Sequence, residues 1–449
     1  MLISAGNLLC NGYYGMLKPQ GLRKWLTPGI GVKRWLILLV IGVLLVAGAL
    51  AFGLVNLLDI HLISGANRVS EWLLMLAMII LGLDVVAIAL YRLSHSILAP
   101  YRRHQQGRVI DVVYAHSKRT KGMKVVAIGG GTGLPSVLRG LKQFTSNITA
   151  VVTVADDGGS SGRLRRELGV LPPGDLRNNI AALADDESLM TQLFQYRFNA
   201  GDLGGHAFGN LFISALSGVT GSIEAALIET ERVLNIQGRV LPATLDDVHL
   251  VASVQVDEGT RLRTVHGESD ITKAGGKIEQ IGLDPLNVEA YSESVQAILE
   301  ADLVIIGPGS LFTSILPNLL VKGIAEALRA TSAYKIYICN VATQPGETEG
   351  FTVADHVLAL ERHIGRGMFQ LVLANNAYPS ENAGLNTHYV QPVPEHHEIL
   401  QRYEVRYTDM TDPEQPWRHD PQKLGRAILR LREEERIGSS STKIILNEV

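Results

Sequence analysis

Two long apolar stretches near the start constrain this chain more than any other feature. Trp35–Leu58 is 24 residues without a charge, rich in Leu, Val, Ile, Ala and Gly. As a helix it extends about 36 Å, enough to cross a hydrocarbon core of about 30 Å. Trp72–Tyr91 is a second stretch of 20 residues, broken only by Asp84. A carboxylate at mid-span costs about 2.5–3.5 kcal/mol on insertion scales, and Asp84, being isolated, reads as a packing contact with the partner helix rather than part of a proton path. Neither stretch reads as a signal peptide, whose apolar region is shorter and followed by a small-residue cleavage site.

The flanking charges orient this hairpin. Lys18, Arg23, Lys24, Lys33 and Arg34 precede it without an acidic residue among them, and Arg92, Arg102, Arg103, Arg108, Lys118, Arg119, Lys121 and Lys124 follow it against Asp111 alone. The loop Asp59–Glu71 holds only Arg68 as a basic residue. The positive-inside rule then predicts cytoplasmic termini and a multi-pass protein of the cell (plasma) membrane with its soluble domain in the cytoplasm. The lipid bilayer is the first expected partner, and the basic flank suits an anionic leaflet. The expected organisation is a basic N-terminal segment 1–34, a transmembrane hairpin 35–91, a basic linker 92–122, a ligand-binding domain 123–420 and a C-terminal helix and tail 421–449. The run Pro421–Arg436 is an amphipathic, charged helix with a solvated face, and the tail beyond it is expected to fray.

The chain's 41 Lys+Arg against 44 Asp+Glu argue against a nucleic-acid partner. Cys10 and Cys339 are too few for a disulfide framework or a multi-thiolate metal site. From Met123 onward strand-like and helical runs alternate: Lys124–Ile128, Ile148–Ala155, Leu303–Ile306, Lys335–Cys339 and Phe369–Leu373 read as buried strands, with a helix at Pro135–Phe144. That predicts an α/β fold, a mostly parallel sheet wrapped by helices. His249–Val256, Arg261–His266 and Lys277–Ile281, joined by turns such as Asp257-Glu258-Gly259, predict a small antiparallel β insert serving as a lid or dimer contact.

The chemistry gathers at strand ends. Gly129-Gly130-Gly131-Thr132-Gly133 leaves a strand and opens a helix, which aims backbone N–H groups at phosphate oxygens. It completes neither a Walker A loop, lacking the Lys, nor the dinucleotide fingerprint, with Leu134 or Ser136 where the third Gly belongs. A dehydrogenase is therefore disfavoured. Asp156-Asp157-Gly158-Gly159-Ser160-Ser161-Gly162-Arg163 ends the next strand. Adjacent carboxylates in extended chain point to opposite sides, so one of the two faces the ligand, holding Mg²⁺ or a sugar hydroxyl. Arg163 supplies a nearby cation. Asp175 in Pro173–Asn178 is an N-cap at minimum. His206 and Asn210 are four apart, on one face if helical. Gly307-Pro308-Gly309-Ser310 again follows a strand and precedes a helix, so it can face the first loop across a nucleotide. Phe312 beyond it either stacks on a base or plugs the core.

Taken together, Gly129–Gly133, Val152–Arg163, Pro173–Asn178, His206–Asn210, Gly307–Asn318 and Asn340–Glu347 resemble, in order, the gluconeogenesis factor family (YvcK-like proteins) within the 2-phospho-L-lactate transferase (CofD-like) superfamily. The resemblance covers roughly Lys124 to Pro379 and implies a three-layer Rossmann-like core. It further implies a nucleotide-sugar ligand of the UDP-N-acetylglucosamine type, and a role in cell shape and envelope synthesis during gluconeogenic growth. In the transferase the fold moves a phospholactyl group from a guanosine diphosphate derivative to a deazaflavin alcohol with Mg²⁺. The resemblance also implies that Phe312 stands where relatives carry a Tyr whose ring contacts the base.

The leading expectation is a membrane-anchored regulator that binds a nucleotide sugar through Gly130, Gly131, Thr132, Gly133, Gly158, Ser160, Ser161, Arg163, Asn178, Asn210, Gly307, Pro308, Gly309, Ser310 and Phe312. Its expected partners are envelope-synthesis enzymes and, as a homo-oligomer, itself. The alternative is a transferase using Asp156, Asp157, Asp175 and His206, with Mg²⁺ on Asp156.

Overall fold

The computed structural model describes residues 32–57, 68–98, 122–184, 189–255, 261–379 and 387–446. The bulk of both basic flanks, most of the loop Asp59–Glu71 and the turn Asp257-Glu258-Gly259 lie outside the described residues. The chain divides into two units, residues 1–112 and 113–449.

In the first unit, α1 (Val32–Leu57) and α2 (Arg68–Leu98) pack side by side. Arg34–Val55 and Trp72–Leu93 are each long and apolar enough to cross a membrane. Gly42 lies against Val86 and Gly82, and Gly53 against Met75, so the helices run antiparallel. A Cβ on Gly82 would stand 2.6 Å from the Val46 side chain, which is why small residues occupy this seam. In an apolar solvent, close packing replaces the hydrophobic effect as the force between helices. Ala49 and Ala89 are fully buried in the same unit. The Arg92 guanidinium sits 5.6 Å from the Trp35 ring centroid, joining the open ends of the pair. Asp84 corrects the sequence expectation: it is exposed, away from the seam, because Gly82, Val86 and Ala89 take the contact face.

The second unit is built on a seven-stranded sheet of order β10-β9-β8-β7-β1-β2-β3. Its strands are β1 (Val125–Gly129), β2 (Ile148–Val152), β3 (Arg239–Pro242), β7 (Leu303–Ile306), β8 (Tyr334–Ile338), β9 (Leu371–Asn375) and β10 (Glu404–Thr408). Every pairing in it is parallel. The inner strands are short Val/Ile/Leu runs buried along their length, as strands covered on both faces must be. The chain steps outward from β1 to β3, then returns beside β1 as β7 and steps outward the other way. Right-handed crossovers in opposite directions put the helices after β1 and after β7 on opposite faces, and β1/β7 becomes the switch point, where such sheets open a crevice.

The helices that matter for that crevice are α3 (Leu134–Leu141), α4 (Gly159–Leu168), α5 (Gly174–Leu183), α6 (Leu189–Gln195), α7 (Phe208–Thr220) and α8 (Ile223–Leu234). The insert is an antiparallel sheet, order β5-β4-β6, of β4 (His249–Gln255), β5 (Leu262–His266) and β6 (Lys277–Asp284), with α9 (Glu268–Lys273) between the last two. α10 (Ser292–Leu299) leads to β7; after it come a π-turn (Leu311–Ile315), α11 (Leu316–Leu319), α12 (Lys322–Ala330), α13 (Val353–Ile364), α14 (Ile399–Arg402) and α15 (Pro421–Leu446).

Two details differ from the sequence expectation. The edge strands β3 and β10 carry no unbroken apolar run; the residues of β10 are exposed or half-exposed, as edges usually are. The C-terminal segment stays helical to Leu446 instead of fraying after Arg436. It packs on α3 where Gly425 and Gly140 bring their backbones together, and it buries Leu424 and Ile428 completely.

Candidate functional site

The first glycine loop follows β1 and the second follows β7, and the Gly307 N–H donates to Ile128 O at 2.8 Å, so neighbouring strands deliver both to the switch point. Their approach is tight. A Cβ on Gly133 would fall 2.6 Å from Pro308 O and 2.8 Å from Gly309 Cα. Thr132, Gly133, Pro308, Gly309 and Ser310 line one cavity of about 140 Å³. Gly133 stands at the N-cap of α3, with no side chain capping the first turn and a proline in that turn, which leaves N–H groups for an anion.

Side chains from later in the chain fix the second loop. Asn340 accepts from Gly309 N at 3.2 Å and donates to Gly309 O at 2.9 Å. Gln344 donates to the Ser310 hydroxyl at 2.7 Å. Asn318 donates to Gly129 O at 2.9 Å and to Ser314 O at 2.7 Å, bonding both loops at once. Buried Glu347 accepts from the Thr313 hydroxyl and the Phe312 N–H. The Phe312 ring is 1 % exposed and packs edge-on to Phe351 and His363 at 6.2 and 6.1 Å. Of the two readings of Phe312 the structure takes the core plug, because the π-turn rolls the ring under the loop, and its assignment as a ligand contact is corrected.

The same cavity reveals residues that the sequence did not single out. Ser136, Arg139, Trp417, Arg418 and His419 line it. Neither Arg139 nor Arg418 has an ion pair or side-chain hydrogen bond among the described residues, and Trp417 is 42 % exposed. Two unpaired guanidinium groups beside uncapped N–H groups suit a phosphate, and an exposed indole beside them suits a flat ring. Burial holds His419 down to about 4, so its imidazole is neutral.

The other flank of the first loop is acidic. Asp175 is not the N-cap of α5, a place taken by Pro173. Its carboxylate instead accepts from the Gly131 N–H at 2.8 Å, across 44 residues of chain. Gly131 has φ +60°, which aims that N–H inward. Burial, then the neighbouring Asp156, push Asp175 up to about 7. Asp156 and Asp157 diverge: Asp156 accepts from Gly158 N at 2.8 Å and lies toward Gly174, while Asp157 accepts from Ser269 N at 2.9 Å in the insert. Glu268, also from the insert and absent from the sequence reading, is hydrogen-bonded to Asp156; burial and then the Asp156 charge hold it well above the usual carboxylate range.

Beside this cluster Ser160 Oγ lies 3.0 Å from His206 Nδ1, and Asn210 donates to it at 3.1 Å. His206 precedes α7 rather than sharing a helical face with Asn210, yet both reach Ser160. Burial, then Arg163, lower the pKa of His206. Arg163 donates to Gly204 O at 2.9 Å, and Asn178 accepts from Arg177 at 2.6 Å. Ser161 is buried, near Gly174. Among the described residues no three His, Cys, Asp or Glu side chains form a ready metal cage.

Fold and site together define a Rossmann-like α/β protein with a phosphate-sized, loop-built pocket at the switch point. The sequence model of the 2-phospho-L-lactate transferase CofD family matches residues 125–424. A gluconeogenesis factor from Bacillus subtilis is 52% identical over 254 residues, which cover 56% of this chain and 78% of its own length.

 Over 91% of this chain and 92% of its own length, a protein from Nostoc sp. bearing the gluconeogenesis factor name is 47% identical. The crystal structure of a UPF0052 family member from Bacillus halodurans superposes with TM-score 0.65 at 44% identity, over 69% of this chain and 99% of that one. The chain belongs to the gluconeogenesis factor (YvcK-like) family of the CofD superfamily.

Proposed function

We propose that this chain is a membrane-anchored gluconeogenesis factor that binds a nucleotide sugar of the UDP-N-acetylglucosamine type and regulates envelope synthesis and cell shape during gluconeogenic growth. The observation that carries the reading is the shared cavity of Thr132, Gly133, Gly309 and Ser310 with two unpaired guanidinium groups, Arg139 and Arg418. Its volume suits a diphosphate, with the base against Trp417 and the sugar toward the acidic flank. Mg²⁺ commonly uses one or two carboxylates plus ligand phosphates rather than a protein cage. Asp156 and the buried Asp175 beside it fit such an ion, which would take the place of the proton that burial and the Asp156 charge favour on Asp175. Asp156 and Asp175 would hold it, and when bound it neutralises phosphate charge.

Two apolar helices joined at one end by Arg92 and Trp35 support anchoring, with the basic flanks on the cytoplasmic side. The Nostoc match extends into this N-terminal part, whereas a Thermotoga maritima relative is matched over 99% of its own length by only 69% of this chain. The family thus includes members with and without a counterpart of the hairpin segment. Calorimetric titration of the detergent-solubilised chain tests the ligand: UDP-N-acetylglucosamine is expected to bind at least tenfold tighter than UMP or GDP, and equal affinities would refute this version. A second reading, phospholactyl or phosphoryl transfer, draws on the Ser160–His206 contact beside the carboxylates; turnover of a deazaflavin acceptor with a guanosine diphosphate donor and Mg²⁺ would favour it.

A further inference from the structure

Three arginines gather beside the acidic flank. Arg163 on α4, Arg177 on α5 and Arg197 just after α6 all meet the chain that leads from Tyr196 through Gly205 into α7. Arg197 pairs with Ala207 across that turn and donates to Gly205 O at 2.6 Å, and Arg163 donates to Gly204 O at 2.9 Å. A Cβ on Gly205 would stand 3.1 Å from the Arg163 guanidinium, and one on Gly209 2.9 Å from Arg177 Cδ. None of the three makes an ion pair among the described residues, and none lines the cavity of Thr132 and Ser310. Arg177 is 8 % exposed, and its Nε, like that of Arg163, is buried without a hydrogen-bond partner. Such an orphaned donor forgoes the bonds it makes in water and calls for an occupant. Burial, then the charge of Arg197, lower the Arg177 pKa, while Asp175 and Asp156 act the other way.

We propose that Arg163, Arg177 and Arg197 form a second anion site that takes the phosphate of a small organic phosphomonoester. Each guanidinium comes from a different element, so the donors approach from three directions. A phosphomonoester presents three terminal oxygens and a charge of about −1.5 to −2. A carboxylate presents two oxygens in one plane, which a single arginine fork satisfies. Guanidinium keeps its charge when buried and is weakly hydrated, which suits it to an enclosed oxyanion better than an ammonium. The diphosphate of a nucleotide sugar is esterified at both ends and meets the glycine loops, so this phosphate belongs to a second molecule. The fields of Asp156 and Asp175 on Arg177 set that molecule beside the carboxylates proposed for Mg²⁺, and the Ser160–His206 pair lies next to Arg163.

The test uses the full chain in detergent, with methyl phosphate as the probe, followed by phosphorus NMR titration. Two binding steps are expected, one weakened at least tenfold by Arg197→Gln and the other by Arg418→Ala. Arg197 is exposed, and glutamine keeps a donor for Gly205 O, so the fold should survive the change. Arg177→Met, which keeps the packing on Gly209 and drops the charge, should weaken the same step as Arg197→Gln. A single step that Arg197→Gln abolishes supports the site and counts instead against the glycine-loop pocket. Binding indifferent to Arg197→Gln and Arg177→Met in folded protein overturns the proposal. So does acetate that displaces methyl phosphate from the Arg197-dependent step at equal concentration.

Discussion

The glycine-loop half of the crevice and the carboxylate half differ in what holds them. In the first, neutral amide side chains (Asn318, Asn340 and Gln344) bond to the loops, and two guanidinium groups have no partner among the described residues. In the second, three acids crowd together and are kept there by burial and by backbone N–H groups from Gly131 and Gly158. One half is satisfied without a ligand except for its cations and the buried Asn318 Oδ1. The other keeps its acids close by favouring protons on Asp175 and Glu268, whose burial and charged neighbour raise both. The contrast teaches that a ligand bearing phosphates and a divalent cation would complete both halves in one event.

Four substitutions press on that contrast. The largest effect is expected from Gly133→Val, whose side chain would meet Pro308 O and Gly309 Cα: ligand affinity should fall more than a hundredfold by calorimetry, with a lower melting temperature. Retained affinity would break the two-loop geometry. Next comes pH. His419, neutral with a value of about 4 against an ordinary 6.5, contributes stability above pH 6.5 that is lost as pH falls toward 4. The full extent is about 3 kcal/mol. Denaturant unfolding should show His419→Gln with a flatter slope across that window, and an unchanged slope would contradict a buried neutral ring. Arg418→Ala should weaken binding of a diphosphate ligand about tenfold to a hundredfold, the worth of a charge-assisted bond, without altering stability, because nothing among the described residues pairs with its side chain. Asp175→Asn should raise the stability of the ligand-free chain by about 1 kcal/mol, keeping the bond to Gly131 N while relieving repulsion, and should remove any Mg²⁺ dependence of binding. Destabilisation there would mean the charge is needed for folding.

Much of this was legible in the sequence because it rests on short range. The strand cores are contiguous apolar runs, and each glycine loop directly follows one. The convergence of Thr132 and Ser310 follows from β7 returning beside β1, which strand alternation permits without dictating. Glu268 was not legible: it reaches Asp156 from an insert more than a hundred residues later, and a lone Glu opening a short helix carries no local mark. Arg418 and Trp417 escaped for a similar reason. They belong to an irregular stretch before α15, which the docking of Gly425 on Gly140 and the His419 contact with Cys339 O bring over the pocket. The edge strand β10 lacked the apolar signature because it meets solvent, whereas β3 is buried in three of its four residues and is simply too short to stand out.

The double donation from Asn318 has a mechanical consequence. By clasping Gly129 O and Ser314 O with one amide, it makes the floor of the pocket a single stiff plate rather than two independent fingers. Whatever adjustment a guest molecule requires must then come from the rim, from the Trp417–Arg418 stretch on one side and the strand insert on the other.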